Sequence, residues 1–214
     1  MKIFPAINCN TFTVVKKRIL EARGFLPKNG WVQIDISDGK FNAVKSWNNP
    51  EALAKWMKEE KIAMNIEAHL MVVDPLPQAM CWLEAGAKRV IVHAEAITEK
   101  DILFLKGFGK KKVGIALTAK TPVKKVAPFV RDLPFVQLLA VTPGFSGQIF
   151  NKKILEKIVW LKTEYPEATI EIDGGVNERT ASTIKDAGAD IIVSGSYIFD
   201  AKDKKAAYMA LKNI

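Results

Sequence analysis

The sequence predicts a single (β/α)8 barrel, and three observations carry that prediction. Short β-branched or apolar runs alternate with stretches of helical period, eight times over. The 214 residues divide into units of roughly 25, near the lower end of the size range of that fold. Neither GxGxxG nor GxxxxGK follows the first run, although an open doubly wound sheet, the competing architecture, normally carries one of them.

The predicted strands come in order as Ile3 to Asn8, Trp31 to Ser37, Met64 to Met71, Arg89 to Glu95, Val113 to Thr118, Phe135 to Thr142, Thr169 to Gly175 and Asp190 to Ser196. Each is followed by a stretch that reads as helix. Asn49 before Pro50, Asp74 before Pro75 and Asn177 are helix-opening signals, because a short polar side chain accepts from the first free amides and proline suits the first turn. Gly86 and Gly188 stand where two of those helices should stop. Strict alternation implies a parallel sheet, and no linker interrupts it, so residues 1–214 are expected to form one domain.

Composition narrows the function classes. Lys and Arg number 32 against 23 Asp and Glu, a net charge of +9. The lysines are scattered over helical stretches without a basic stripe interleaved with aromatics, so no nucleic-acid partner is expected and anionic metabolites fit the charge better. Cys9 and Cys81 lack the spacing of a zinc ribbon or a disulfide framework, which points to a reducing, cytoplasmic setting. No run reaches the length of a membrane span and the first residues do not read as a signal segment.

In this fold chemistry collects where strands end. Asp35 and Asp173, at the ends of strands 2 and 7, can approach one substrate carbon from its two faces, which suits two-base proton transfer. His69 between them allows a divalent ion to be held by mixed nitrogen and oxygen ligands. A plainer reading makes Asp35 a loop cap, His69 a satisfied barrel histidine and Asp173 a turn former, yet three such buried groups at three strand ends would be costly without a use. His93 and Glu95 read instead as interior groups or as supports behind the reacting residues. A second constellation is glycine-rich: Gly144, Ser146 and Gly147 after strand 6, Gly174 and Gly175 after strand 7, Gly195 and Ser196 after strand 8. Such turns let backbone amides approach an anion, and the position is the usual phosphate site of this fold.

The segments PAINCNTF, QIDISDGKFN, EAHLMV, VIVHAEA, VTPGFSGQ, EIDGGV and GSYIF resemble, in order and spacing, those of ribulose-phosphate 3-epimerases. The resemblance covers essentially the whole chain. It implies a ribulose-phosphate-binding barrel and an isomerase of pentose phosphate metabolism that interconverts D-ribulose 5-phosphate and D-xylulose 5-phosphate through an enediolate. Asp35 and Asp173 become the acid/base pair, one divalent ion (Zn, Fe, Mn, Co or Mg) the cofactor, His69 a ligand and Met71 part of an apolar wall. The amides near Gly147, Gly175, Gly195 and Ser196 hold the phosphate, and a homo-oligomer is expected.

The chain departs from that pattern at the metal and sugar end. Gln33 stands where a histidine ligand is usual, so the expected ligand set is Gln33, Asp35, His69 and Asp173, with a weaker neutral amide oxygen in one place. Ser37 and Leu139 replace methionines, and Cys9 replaces a substrate-contacting serine. The alternatives these changes raise are a 3-epimerase of another ketose phosphate such as allulose 6-phosphate, and a sugar-phosphate-binding protein without catalysis. A Schiff-base aldolase has Lys120 as its one candidate nucleophile, and the DxKxxD arrangement of related decarboxylases is missing. Trp47, in the loop after strand 2, is the tryptophan best placed for a lid or a contact.

Overall fold

A computed structural model describes residues Met1–Ile214. Eight parallel strands close on themselves in sequence order: Lys2–Ile7 (β1), Trp31–Ser37 (β2), Asn65–Met71 (β3), Arg89–His93 (β4), Val113–Thr118 (β5), Phe135–Leu139 (β6), Thr169–Asp173 (β7) and Ile191–Ser194 (β8). The helices are Phe12–Arg23 (α1), Pro50–Glu59 (α2), Pro75–Glu84 (α3), Glu99–Lys106 (α4), Ile154–Glu164 (α5), Glu178–Asp186 (α6), Ser196–Phe199 (α7) and Lys204–Lys212 (α8). The barrel therefore stands as the strand pattern predicts, with ends one to three residues shorter where a predicted run continued into its loop.

One expected helix is absent. Between β5 and β6 the chain makes only two single 3-10 turns, at Val123–Lys125 and Ala127–Phe129. Pro128 inside the stretch removes an amide donor and clashes with the preceding turn, so a continuous helix cannot pass through it. Val126, Val130 and Leu133 still bury their side chains and close that flank of the barrel.

The helix openings follow the predicted chemistry. The Asn49 side chain accepts from Ala52 N at the start of α2, and Asn177 forms a capping box with Thr180 at the start of α6. Asp74 precedes α3 but caps nothing with its side chain. Trp47 is no lid: its ring stacks on Phe12 at 4.7 Å and packs on the core.

Two apolar layers hold the fold. The larger lies between sheet and helices, and includes the wholly buried Ile7, Ile34, Leu70, Trp82 and Ile172. The smaller plugs the barrel interior with Phe4, Ala6, Ile91, Ala116, Phe135, Ile191 and Val193. Strand period two sends alternate residues to these two layers, so one residue's place predicts its neighbour's. Other inward positions are polar, several of them level with members of that smaller layer: Gln33 pairs with Ala6, and Asp173 with Val193. Gln33, Glu67, His69, His93, Gln137 and Glu171 are buried there, with Asp35 and Asp173 at the upper rim.

Candidate active site

Register brings the first cluster together. Asp35 on β2 is paired with His69 on β3, and Asp173 ends β7 across the barrel mouth. His69 Nδ1 lies 3.3 Å from Asp35 Oδ1 and 3.2 Å from Asp173 Oδ2. One ligand atom from each of the three residues falls within 4.8 Å of the others. A small divalent ion binds such ligands at roughly 2.0–2.2 Å, so the set suits a cation entering from the cavity side. Electrostatics agree. Burial and then the neighbouring Asp173 push the Asp35 carboxyl above its usual range. Burial alone would depress the His69 imidazole, but hydrogen bonds to Asp173 and Asp35 outweigh it and raise the ring to about 9.

Gln33 is present in the cluster, but its amide is turned opposite to the expected sense. Its Nε2 donates to Asp35 Oδ1 at 2.7 Å and to Asp173 Oδ2 at 2.8 Å. Its Oε1 accepts from Gln137 Nε2 at 2.7 Å. Two carboxylates call for donors, so the amide shows them its NH2 group and gives its oxygen to the layer below. In this sense Gln33 clips the carboxylate pair together and offers no lone pair to an ion.

That lower layer is a buried polar network which the sequence left unread. Gln137 also donates to Glu171 Oε1 at 3.0 Å, and Arg89 Nη1 meets Glu67 Oε2 at 2.6 Å. Arg89 lies over the Phe135 and Trp31 rings, so apolar faces as well as a carboxylate hold the cation. Burial, followed by the charge of Glu67, pushes Glu171 well above the carboxylate range. One buried oxygen of each carboxyl, Glu67 Oε1 and Glu171 Oε2, has no hydrogen-bond partner.

Above the cluster opens a cavity of about 360 Å³ lined by Asp35, Asp173 and Met71. Gly144, Ser146, Gly147, Gly174, Gly175, Gly195 and Ser196 line it as well, so every glycine-rich turn singled out in the sequence reaches one space. Gly175 has φ +68 and a Cβ there would lie 2.6 Å from Phe150 N, so only glycine keeps this turn against the β6 loop. The short α7 begins at Ser196, and the amides opening it lack carbonyl partners within the helix.

Cys9 does not take the place expected for it. It belongs to the layer outside the barrel, and Asn8 lines the cavity instead. Phe4 and Ala6 point inward, so alternation sends Asn8 inward and Cys9 out. Asn8 Nδ2 donates to Gly144 O at 2.7 Å and ties the β6 loop to the first strand. Leu139, which replaces a methionine of the family pattern, lines the cavity as well, together with Val141 and Tyr197, for which the sequence suggests no role. Lys120 is exposed and borders a neighbouring cavity whose lining includes neither Asp35 nor Asp173.

Comparison with known proteins extends over the same length. The family model described as ribulose-phosphate 3 epimerase matches residues 2–199. A ribulose-phosphate 3-epimerase of Bacillus subtilis is 36% identical, with 99% of this chain and 98% of that protein covered. One from Schizosaccharomyces pombe is 31% identical, with 99% and 92% covered. Among solved structures, a 3-hexulose-6-phosphate synthase superposes with a TM-score of 0.67 at 22% identity, covering 100% of this chain and 99% of that one. At that identity the likeness speaks for the barrel alone.

Proposed function

The chain belongs to the ribulose-phosphate 3-epimerase family, and from that premise we propose that it interconverts D-ribulose 5-phosphate and D-xylulose 5-phosphate by two-base proton transfer at C3. The observation that carries this reading is that Asp35, Asp173 and the glycine-rich turns line one cavity. The turns and the start of α7 would hold the phosphate, and the ketose then extends toward the carboxylates. One carboxylate takes the C3 proton while the other, in its protonated form, returns a proton to the opposite face of the enediolate. Burial beside Asp173 raises the proton affinity of Asp35, the direction an acid/base role at neutral pH requires.

Asp35, His69 and Asp173 would hold a divalent cation, which supplies Lewis-acid stabilisation of negative charge on the substrate oxygens. Gln33 would keep the two carboxylates at a fixed spacing. Met71 and Leu139 make the wall beside them apolar, which limits water next to the reacting carbon.

The test is NMR of metal-supplemented protein with D-ribulose 5-phosphate in D2O. Deuterium at C3 together with the xylulose isomer is the expected result. Binding of the sugar phosphate without exchange would overturn the catalytic reading, and exchange seen only with a different ketose phosphate would overturn the substrate.

A further inference from the structure

The chain contains two histidines, and they meet end to end. His69 Nε2 and His93 Nε2 are 2.8 Å apart. Their ring centroids are 5.0 Å apart and their planes differ by 24°. Those values describe rings joined nitrogen to nitrogen in nearly one plane, a hydrogen bond rather than a face-to-face stack. On its far side His93 Nδ1 lies 3.1 Å from Glu95 Oε2. The other oxygen of Glu95 is occupied: Oε1 accepts from Thr118 N at 2.9 Å, from Thr118 Oγ1 at 3.0 Å and from the Thr121 hydroxyl. The carboxylate therefore cannot rotate freely, and Phe41 covers the His93 ring at 4.8 Å.

Only one arrangement of hydrogens satisfies this row while leaving His93 neutral. Glu95 accepts, so His93 carries its hydrogen on Nδ1 and shows a lone pair at Nε2. His69 must then donate through Nε2–H. We propose that Glu95 and His93 are positioning residues which set the tautomer of His69, so that its Nδ1 is the nitrogen free to act as a ligand between Asp35 and Asp173. Histidine ligands are commonly oriented by one acceptor at the second nitrogen. Here a carboxylate acts at one remove, through a second ring. The last step rests on the proposed cation site, whereas the tautomer of His93 does not.

The experiment is 15N NMR of protein labelled at histidine, in which two rings give an unambiguous spectrum. In wild-type protein freed of metal by a chelator, His93 is expected to be neutral, with Nδ1 protonated and Nε2 bare. Glu95→Gln keeps an oxygen for Thr118 and Thr121 but turns an NH2 group toward His93 Nδ1. It should move the hydrogen of His93 to Nε2 and weaken zinc binding about 10- to 100-fold. A bare Nδ1 on wild-type His93 would overturn the proposal even if the variant failed to fold. So would a variant with wild-type ring shifts. Because the rings are read without metal, absence of zinc uptake by the wild type would overturn the cation site and leave the tautomer result standing.

Discussion

Gln137 donates to Gln33 Oε1 at 2.7 Å, and this bond decides which end of Gln33 faces Asp35 and Asp173. The carboxylate pair is thus held by a donor that is itself held from below. Gln33→Leu removes that shared donor. A hydrogen bond from Gln33 helps to keep the Asp35 proton affinity down, against burial and Asp173, so its loss should move the acid limb of the kcat/KM pH profile to higher pH. Stability should fall by about 1.5–3 kcal/mol, the worth of a hydrogen bond to a charged group, in urea unfolding. An unmoved acid limb would show that Gln33 does not act on ionised Asp35.

Asp173→Asn removes one of the two bases and nearly preserves shape. Turnover should fall about 10²- to 10⁴-fold, the usual contribution of a placed acid/base group. Asp35 remains at the same cavity, so NMR in D2O should still find C3 exchange on one face, faster than the residual formation of the epimer. Full turnover in this variant would remove Asp173 from the reaction.

The strands and the carboxylate–histidine cluster were legible because each rests on a local rule. Apolar β-branched runs mark a buried parallel sheet, and Asp35, His69 and Asp173 sit at strand ends where this fold places its chemistry. The break after β5 is written locally too, because Pro128 interrupts the helical period there. Matching Cys9 to a family serine puts it at the substrate, whereas the inward positions Phe4 and Ala6 lead to Asn8. What no local rule reveals is contact across the barrel. Gln137 lies in an apolar run and is 104 residues from Gln33 in sequence, and the end-on meeting of His69 and His93 depends on how β3 and β4 are staggered.

His69 makes the metal-free protein sensitive to alkali. Its ring holds a proton up to about pH 9 when folded, against about 6.5 in an unfolded chain. A raised folded value means that the stabilisation is complete below about 6.5 and is lost as pH rises through about 9, an effect of about 3 kcal/mol at most. Other groups titrate in the same range, so the quantity to measure is a difference. The urea midpoint of chelator-treated protein should fall more steeply between pH 7 and 10 than that of zinc-loaded protein, in which Nδ1 has no proton to lose. Parallel profiles would show that the His69 proton is not held by the carboxylates.

Gly147 and Gly175 separate binding from folding at the phosphate end. Both have positive φ, +77 and +68. A Cβ on Gly175 would lie 2.6 Å from the Phe150 backbone, whereas one on Gly147 meets nothing nearer than Ser196 Oγ at 4.0 Å. Gly175→Ala must displace the β6 loop and should lose stability and binding together. Gly147→Ala carries only the backbone strain, of about 1–2 kcal/mol, and leaves the protein folded. Its methyl group enters the space between the β6 loop and Ser196, where the phosphate is proposed to lie, so KM should rise about 10-fold, equivalent to about 1.4 kcal/mol of binding. Turnover at saturation should change little, because Asp35 and Asp173 are untouched. Inhibition by inorganic phosphate should weaken in step with KM. If both stay at wild-type values in a folded Gly147→Ala protein, the phosphate is bound elsewhere in the cavity.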